Sequence, residues 1–393
     1  MNSNTMIRNL ILLVLPFVLQ SSQILDRKFE SSQRTPPTDK VLSRLAAGVN
    51  VDHWLSHRDS VEIKDIKGYL PPSEMDFMKS MGIKMIRLPF VQRAISDSDS
   101  GLPLNEAKCK AVESEIRELN RRGIFVILDF HPKETFGATL NDPKNAASFI
   151  EFWKAVATRF SKISESNIAF EVLNEPTTGN RTMWWSVQLR AVQAIRSVAP
   201  KHTILVSPDG RSEIKDLIAE KPYEIPNLVY VFHFYDPFIF THNNAPWVDS
   251  HLANWRGVRY PSSPETAKRL ETQVQNRAWL EVYNEYSKQT WNYDAIENRI
   301  ALADQWAKHF GVKLICDEFG TYRPNADPYS RTLWHRDVRK ALEKFGIGWA
   351  MYSYRGGMGF AYREFFVPES YDTADWNTVF ALGYQKPPRP KSR

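Results

Sequence analysis

Two glutamates head the residues able to do chemistry in this 393-residue chain. Glu175 lies in Asn174-Glu175-Pro176, and Glu318 lies in Asp317-Glu318-Phe319-Gly320. Each ends a short apolar run, where a charged side chain is costly unless it has a partner or a task. Two carboxyl groups can divide the work of a displacement when their surroundings give them unequal pKa values. The protonated one donates to a leaving oxygen while the ionised one attacks carbon. Other polar residues close other apolar runs: Arg87, Asp129 with His131, and His233 with Tyr235. Arg87, His233 and Tyr235 are expected to hold Glu318 ionised through charge and hydrogen bonding. A negative Glu318 would in turn raise the pKa of Glu175 and keep it protonated. Glu171 shares the strand parity of Glu175 and is expected to support the pair from lower in the fold. Asp317 has the opposite parity to Glu318, which predicts that it faces the helices. Asp129 reads as the buried partner of a neighbouring base.

The elements that must position these groups are legible as an alternation. Apolar runs at 45–51, 83–90, 124–131, 168–176, 203–208, 229–236, 312–319 and 347–354 make eight candidate strands. Stretches of helical period lie at 106–122, 146–160, 183–198, 296–310 and 332–345. Gly82, Gly123, Gly311 and Gly346 each sit just before a strand, where a left-handed residue ends a helix. Eight such units predict an α/β fold, a (β/α)₈ TIM barrel, whose strand ends converge on one rim. An open doubly wound sheet is the rival, but no Gly-rich phosphate loop follows any strand. One connection is enlarged. Residues 237–293 form an extended loop and helix insertion after strand six, with a helix expected around 265–286. It carries Trp247, Trp255 and Trp291, and its length suggests that it covers part of a cleft.

Composition narrows the class. Hydrophobic residues make up 42% and charged residues 24%, as in a folded globular chain. The net charge of +6 is spread along the sequence, so no nucleic-acid partner is expected. Cys109 and Cys316 are too few for a disulfide framework or a four-cysteine zinc site. His53, His57, His131 and His233 match no short zinc motif, and metal ligation is not expected. Residues 1–23 read as a signal peptide, with an apolar run after Arg8 that is too short for an ordinary membrane span. A signal anchor is the alternative. Residues 24–40 read as a polar linker and 41–393 as the folded barrel. The basic residues from Lys386 read as a solvated tail. Secretion or a periplasmic location is therefore expected, with no stable membrane partner and a monomeric state. Asn180-Arg181-Thr182 fits an N-glycosylation acceptor.

The chain resembles glycoside hydrolase family 5, the cellulase A family of retaining (β/α)₈ enzymes. Leu173-Asn174-Glu175-Pro176 is similar to its acid/base motif at the end of strand four. Cys316-Asp317-Glu318-Phe319-Gly320 is similar to its nucleophile segment at the end of strand seven. Arg87 in Ile86-Arg87-Leu88-Pro89, His131 in Asp129-Phe130-His131, and His233-Phe234-Tyr235 resemble further family positions. The resemblance implies that Asn174 binds the sugar 2-hydroxyl and that Tyr235 contacts the nucleophile. Trp349 in Gly348-Trp349 resembles the platform beneath the reacting sugar. Trp54, Trp184 and Trp247 are weaker candidates for subsite walls, with core packing as the alternative. The implied activity is hydrolysis of a β-linked polysaccharide or oligosaccharide, first of all a β-1,4-glucan, without cofactor. β-1,3-glucanase, β-mannanase and transglycosylase activities belong to the same family. A non-catalytic carbohydrate-binding barrel or a metal-dependent hydrolase is the reading from another class.

Overall fold

The computed structural model describes residues 34–248, 255–275, 277–361 and 374–389. The signal-peptide reading of 1–23 lies outside the described residues. Eight parallel strands close into a barrel in sequence order, with β1 paired to both β2 and β8. They are β1 (Ala47–Asn50), β2 (Met85–Phe90), β3 (Phe125–Phe130), β4 (Ile168–Glu171), β5 (Ile204–Val206), β6 (Leu228–Phe234), β7 (Lys313–Phe319) and β8 (Gly348–Met351). All eight expected strands are present, each shorter than its apolar run.

Five long helices lie where helical period predicted them: Glu106–Arg121, Pro143–Phe160, Arg181–Val198, Tyr293–Phe310 and Pro328–Lys344. Their starts fall upstream of the first apolar repeat because capping side chains set them. Asn105, Asp142, Asn180, Asn292 and Asp327 each accept from a backbone N–H of the first turn. Gly311 ends one of these helices in the left-handed region (φ 68°), which a residue without Cβ enters freely.

The core has two shells. The larger lies between strands and helices and takes the outward-facing residues, among them Val49, Ile86, Leu88, Val126, Leu128, Phe232 and Trp349. The smaller fills the barrel interior with Met85, Phe125, Ile127, Ala169, Leu205, Val229, Val231, Ile315 and Ala350. Val41 and Leu45 belong to this inner cluster. They come from helix α1 (Asp39–Arg44) and its C-cap, which plug the N-terminal end of the barrel. The side chain of Thr38 caps α1. The folded part therefore begins before residue 41. Arg34 pairs with Glu224 at 2.6 Å and donates to the Phe310 carbonyl, while Thr35 accepts from the Asn227 amide. The polar arm is packed from Arg34 onward, and the rest of it lies outside the described residues.

The insertion after β6 folds on its own aromatics. Its expected single helix is two, α2 (Pro264–Lys268) and α3 (Arg277–Ser287). Trp255 lies against Trp279 at 4.9 Å, and Tyr260 donates to Asp337 of the helix after β7. Trp255, Trp279 and Trp291 are buried, whereas Trp247 is 57% exposed. Among the described residues, no helix is long and apolar enough to cross a membrane.

Truncating the plug tests the inner core. Leu45→Ala is expected to cost about 2–5 kcal/mol. Urea unfolding followed by tryptophan fluorescence reads the change.

Candidate functional site

The barrel interior changes chemistry two residues above its apolar layer. Met85, Ile127, Ala169, Val231 and Ile315 point inward, and so do Arg87, Asp129, Glu171, His233 and Asp317, each two positions further on. The C-terminal half of the barrel thus holds a buried polar layer. Arg87 is its centre. Its Nε and Nη2 donate to both oxygens of Glu171 at 2.8 and 2.7 Å. Its Nη1 donates to Glu318 Oε1 at 2.5 Å and to Asn50 Oδ1 at 2.9 Å. Asp129 lies 3.1 Å and Asp317 3.5 Å from the guanidinium. Burial would strip its proton, but the charges of Asp129, Glu171, Asp317 and Glu318 raise its pKa well above the ordinary value. Burial likewise raises Asp129 well above the carboxylate range against the pull of Arg87. Glu171 is pushed up to about 7 by burial against Arg87, with Asp317 adding to the rise.

The parity expectation for Asp317 fails for a local reason. Phe232 pairs with Cys316, yet His233 pairs with Glu318, so β7 carries one extra residue at a bulge. The ladder to β8 breaks over the same interval, between Cys316 and Phe319. Asp317 keeps the inward phase of Ile315, and the bulge brings Glu318 inward as well. Asn50 Nδ2 donates to the Asp317 carbonyl at 2.8 Å and secures the bulge. Gly320 allows the next step. A Cβ there would lie 2.1 Å from the Tyr352 carbonyl oxygen, so only glycine lets the loops after β7 and β8 pass this closely.

Glu318 accepts from Arg87 on one oxygen and from the Tyr235 hydroxyl at 2.9 Å on the other. Glu175 follows β4 with φ 37°, a left-handed conformation unusual for a side chain of this kind. The surrounding loops hold it there: the Pro176 carbonyl accepts from Gly210 and Arg211, and the Asn174 amide donates to Phe130. His233 Nδ1 donates to Glu175 Oε1 at 2.8 Å and lies 3.7 Å from Glu318 Oε2. One oxygen of Glu175, one of Glu318 and a ring nitrogen of His233 all lie within 4.8 Å of one another.

The shift of Glu175 runs opposite to the expected protonation. Burial acts to raise its pKa, but the hydrogen bond and charge of His233 prevail and hold it below the ordinary value. Burial acts to lower His233, but the Glu318 charge and bonds to Asp317 and Glu175 raise it well above its ordinary value. Both shifts favour the proton on the imidazole. His131 behaves oppositely, with burial lowering it to about 4. Asn174 Oδ1 accepts from Arg87 at 2.9 Å, so its Nδ2 faces His131 Nε2 as a donor at 3.2 Å. His131 is then the neutral tautomer that donates from Nδ1 to Asp129 at 2.9 Å.

Arg87, His131, Asn174, Glu175, His233, Tyr235 and Glu318 are thus brought to one place. Three expected tryptophans are not. Trp349 is 1% exposed and faces the helices beside Phe319 and Tyr384. Its neighbour Ala350 faces the barrel interior, so the inward phase of β8 leads instead to Tyr352. Trp54 donates to the Ile66 carbonyl and Trp184 to that of Ser207, both inside the core. Trp247 stands in the insertion with its ring edge-on to Tyr322 at 5.2 Å. Tyr352, missed from sequence, lies 3.3 Å from His57, which in turn packs on His53 and His131. The inward phase of Ala350 was the signal that could have found it. Among the described residues, two groups could offer three ligand atoms to a metal, Glu171–His233–Asp317 and Glu175–His233–Glu318. Both require a deprotonated His233, and Arg87 already supplies positive charge to both.

Glu171 makes the layer pH-sensitive. It holds a proton in the folded state up to about pH 7, against an ordinary value of 4.5. Its contribution to stability is full below 4.5 and is lost as pH rises through 7. The stability of the native chain relative to Glu171→Gln is therefore expected to fall by on the order of 3 kcal/mol between pH 5 and pH 8. Urea titrations of both proteins at the two pH values measure it.

The cellulase (glycosyl hydrolase family 5) family model matches residues 64–357. Endoglucanase C of Acetivibrio thermocellus is 27% identical over 316 residues, covering 79% of this chain and 91% of the relative. Endoglucanase 3 of Fibrobacter succinogenes is 25% identical over 346 residues, covering 83% of this chain and 52% of that protein. The crystal structure of endoglucanase Cel5A from Thermotoga maritima shares the fold with a TM-score of 0.69 at 24% identity, covering 88% of this chain and 100% of the other. With the family match spanning most of the barrel that holds the paired glutamates, this chain is a glycoside hydrolase and belongs to glycosyl hydrolase family 5.

Proposed function

We propose that this chain is a secreted, retaining endo-β-1,4-glucanase that acts by double displacement as a monomer. The observation that carries the mechanism is the close approach of Glu175 and Glu318, with one oxygen of each within 4.8 Å. Retaining glycosidases place their carboxyl groups about 5–5.5 Å apart, whereas inverting ones leave about 6.5–9.5 Å for a water. Glu318 attacks the anomeric carbon with an oxygen oriented by Arg87 and Tyr235. The glycosidic bond breaks, and Glu175 delivers a proton to the leaving oxygen. Water then loses a proton to Glu175 and bonds to the anomeric carbon, which frees Glu318. Asn174, oriented by Arg87 and His131, keeps a second amide hydrogen for the sugar 2-hydroxyl. Trp247 offers an exposed ring for a further sugar.

The substrate reading is supported by relatives named endoglucanase. Secretion rests on the reading of residues 1–23.

Product analysis on cello-, manno- and laminari-oligosaccharides tests the substrate, and cleavage of mannan in preference to cellulose chains would overturn it. NMR of the first product should show the β-anomer, and an α-anomer would exclude double displacement. Glu318→Ala is expected to lower kcat by a factor of at least about 10⁴ on every substrate. Glu175→Ala should lose far less on an aryl glycoside whose leaving group needs no proton. A stopped assay on both substrate types separates the two roles.

A further inference from the structure

His233 is flanked by carboxylates on both sides of its ring. Nδ1 lies 2.8 Å from Glu175, and Nε2 lies 3.3 Å from Asp317 Oδ1. A neutral imidazole donates from one nitrogen only, so acceptors at both favour the doubly protonated ring. Asp317 is fully buried, and since neither its oxygens nor His233 Nε2 make an aligned hydrogen bond, their 3.3 Å contact is an ion pair. Asp317 keeps the inward phase of Ile315, and the β7 bulge lets Glu318 face inward beside it. We propose that Asp317 is a positioning residue that keeps His233 an imidazolium, so that His233 stores the proton Glu175 delivers. This rests on the reading of Glu175 as acid and base.

The groups facing His233 leave Asp317 this task. Arg87 of β2 repels a proton. Asp129 of β3 and Glu171 of β4 are both pushed upward in pKa by burial, which weakens their hold as charges on a proton at His233. Tyr235, just past the end of the same strand, is raised well above its ordinary value by burial and the charges of Glu318 and Glu175, and stays neutral. Glu318 is a negative neighbour only until it bonds to the sugar. In the covalent intermediate it is an ester without charge. Asp317 is then the carboxylate that still faces Nε2.

The proton count closes. In the first displacement Glu175 passes a proton from His233 Nδ1 to the leaving oxygen as the glycosidic bond breaks, and the ring becomes neutral. In the second, water gives a proton to Glu175 and through it to Nδ1. The water oxygen bonds to the anomeric carbon, and the bond to Glu318 breaks.

The test is Asp317→Asn in the full chain, with the pH profile of kcat/KM on an aryl cellobioside. Removing a negative neighbour lowers the pH at which the pair loses its proton. The alkaline limb should therefore move to lower pH by about one unit. The His233 ring titration, followed by ¹⁵N NMR with histidine labelling, should move the same way. Loss of kcat with an unmoved limb and an unmoved His233 titration would overturn the proposal and leave Asp317 a structural role. Asp317→Gly supplies a second variant in case the first fails to fold. Wild-type His233 must itself show two protonated ring nitrogens at pH 7, and a neutral ring would end the idea without any variant. A shifted His233 titration, combined with full activity of Glu175→Ala on oligosaccharides, would instead overturn the acid/base reading on which the delivery step rests.

Discussion

A single guanidinium buried among carboxylates organises this barrel. Removing one ion from water costs several kcal/mol, and Arg87 is repaid only if nearly every N–H finds an acceptor. It does so by reaching β1 through Asn50, β4 through Glu171, and β7 through Glu318, with Asn174 above. A lysine at this position would offer one point charge, without the planar fork that meets both oxygens of Glu171. The cross-ties also hold the reacting groups, since Glu318 and Asn174 take their orientation directly from Arg87. Stability and chemistry therefore share one ion. Burial eases the excess of carboxylates by raising the pKa values of Asp129 and Glu171.

Orientation passes upward from this layer by hydrogen bonds that allow one assignment. Arg87 fixes the oxygen of Asn174, which turns its amide nitrogen to His131. His131 can accept there only as a neutral ring, and burial keeps it so. On the other side of the site, His233 is held charged by the acceptors around it. Two buried histidines under the charge of the same carboxylates, Glu175 and Glu318, are thus shifted in opposite directions. Hydrogen-bond partners, more than burial, decide which.

Much of this was legible in the chain. The eight strands follow from apolar runs, and strand parity placed Arg87, Asp129, Glu171 and His233 on the inner face. The seven polar residues resembling a family pattern do converge. What the sequence hid is what depends on small departures from regularity. The bulge shifts β7 by one residue, so counting back from Glu318 sends Asp317 the wrong way, while counting on from Ile315 sends it correctly. Trp349 resembles a platform by type and neighbourhood, but its phase on β8 is that of the outer shell. The state of Glu175 depends on a histidine 58 positions away in sequence, a contact that no local pattern encodes. The aromatics of the insertion suggested sugar surfaces, yet most of them make that segment's own core.

The extra residue in β7 separates two kinds of information in this chain. The ladder to β6 resumes at His233 and Glu318, and the ladder to β8 resumes at Phe319 and Met351. Both flanks are thereby locked in phase, and the surplus residue cannot slide along the strand. A chain shorter by that one residue would satisfy the same apolar pattern and close the same barrel. It would present one acidic side chain to the interior where this one presents two. The fold is written in which residues are apolar, whereas the reaction is written in a length. An altered length leaves no trace in composition or hydropathy, so an inert barrel and an active one can look alike by every measure except a count.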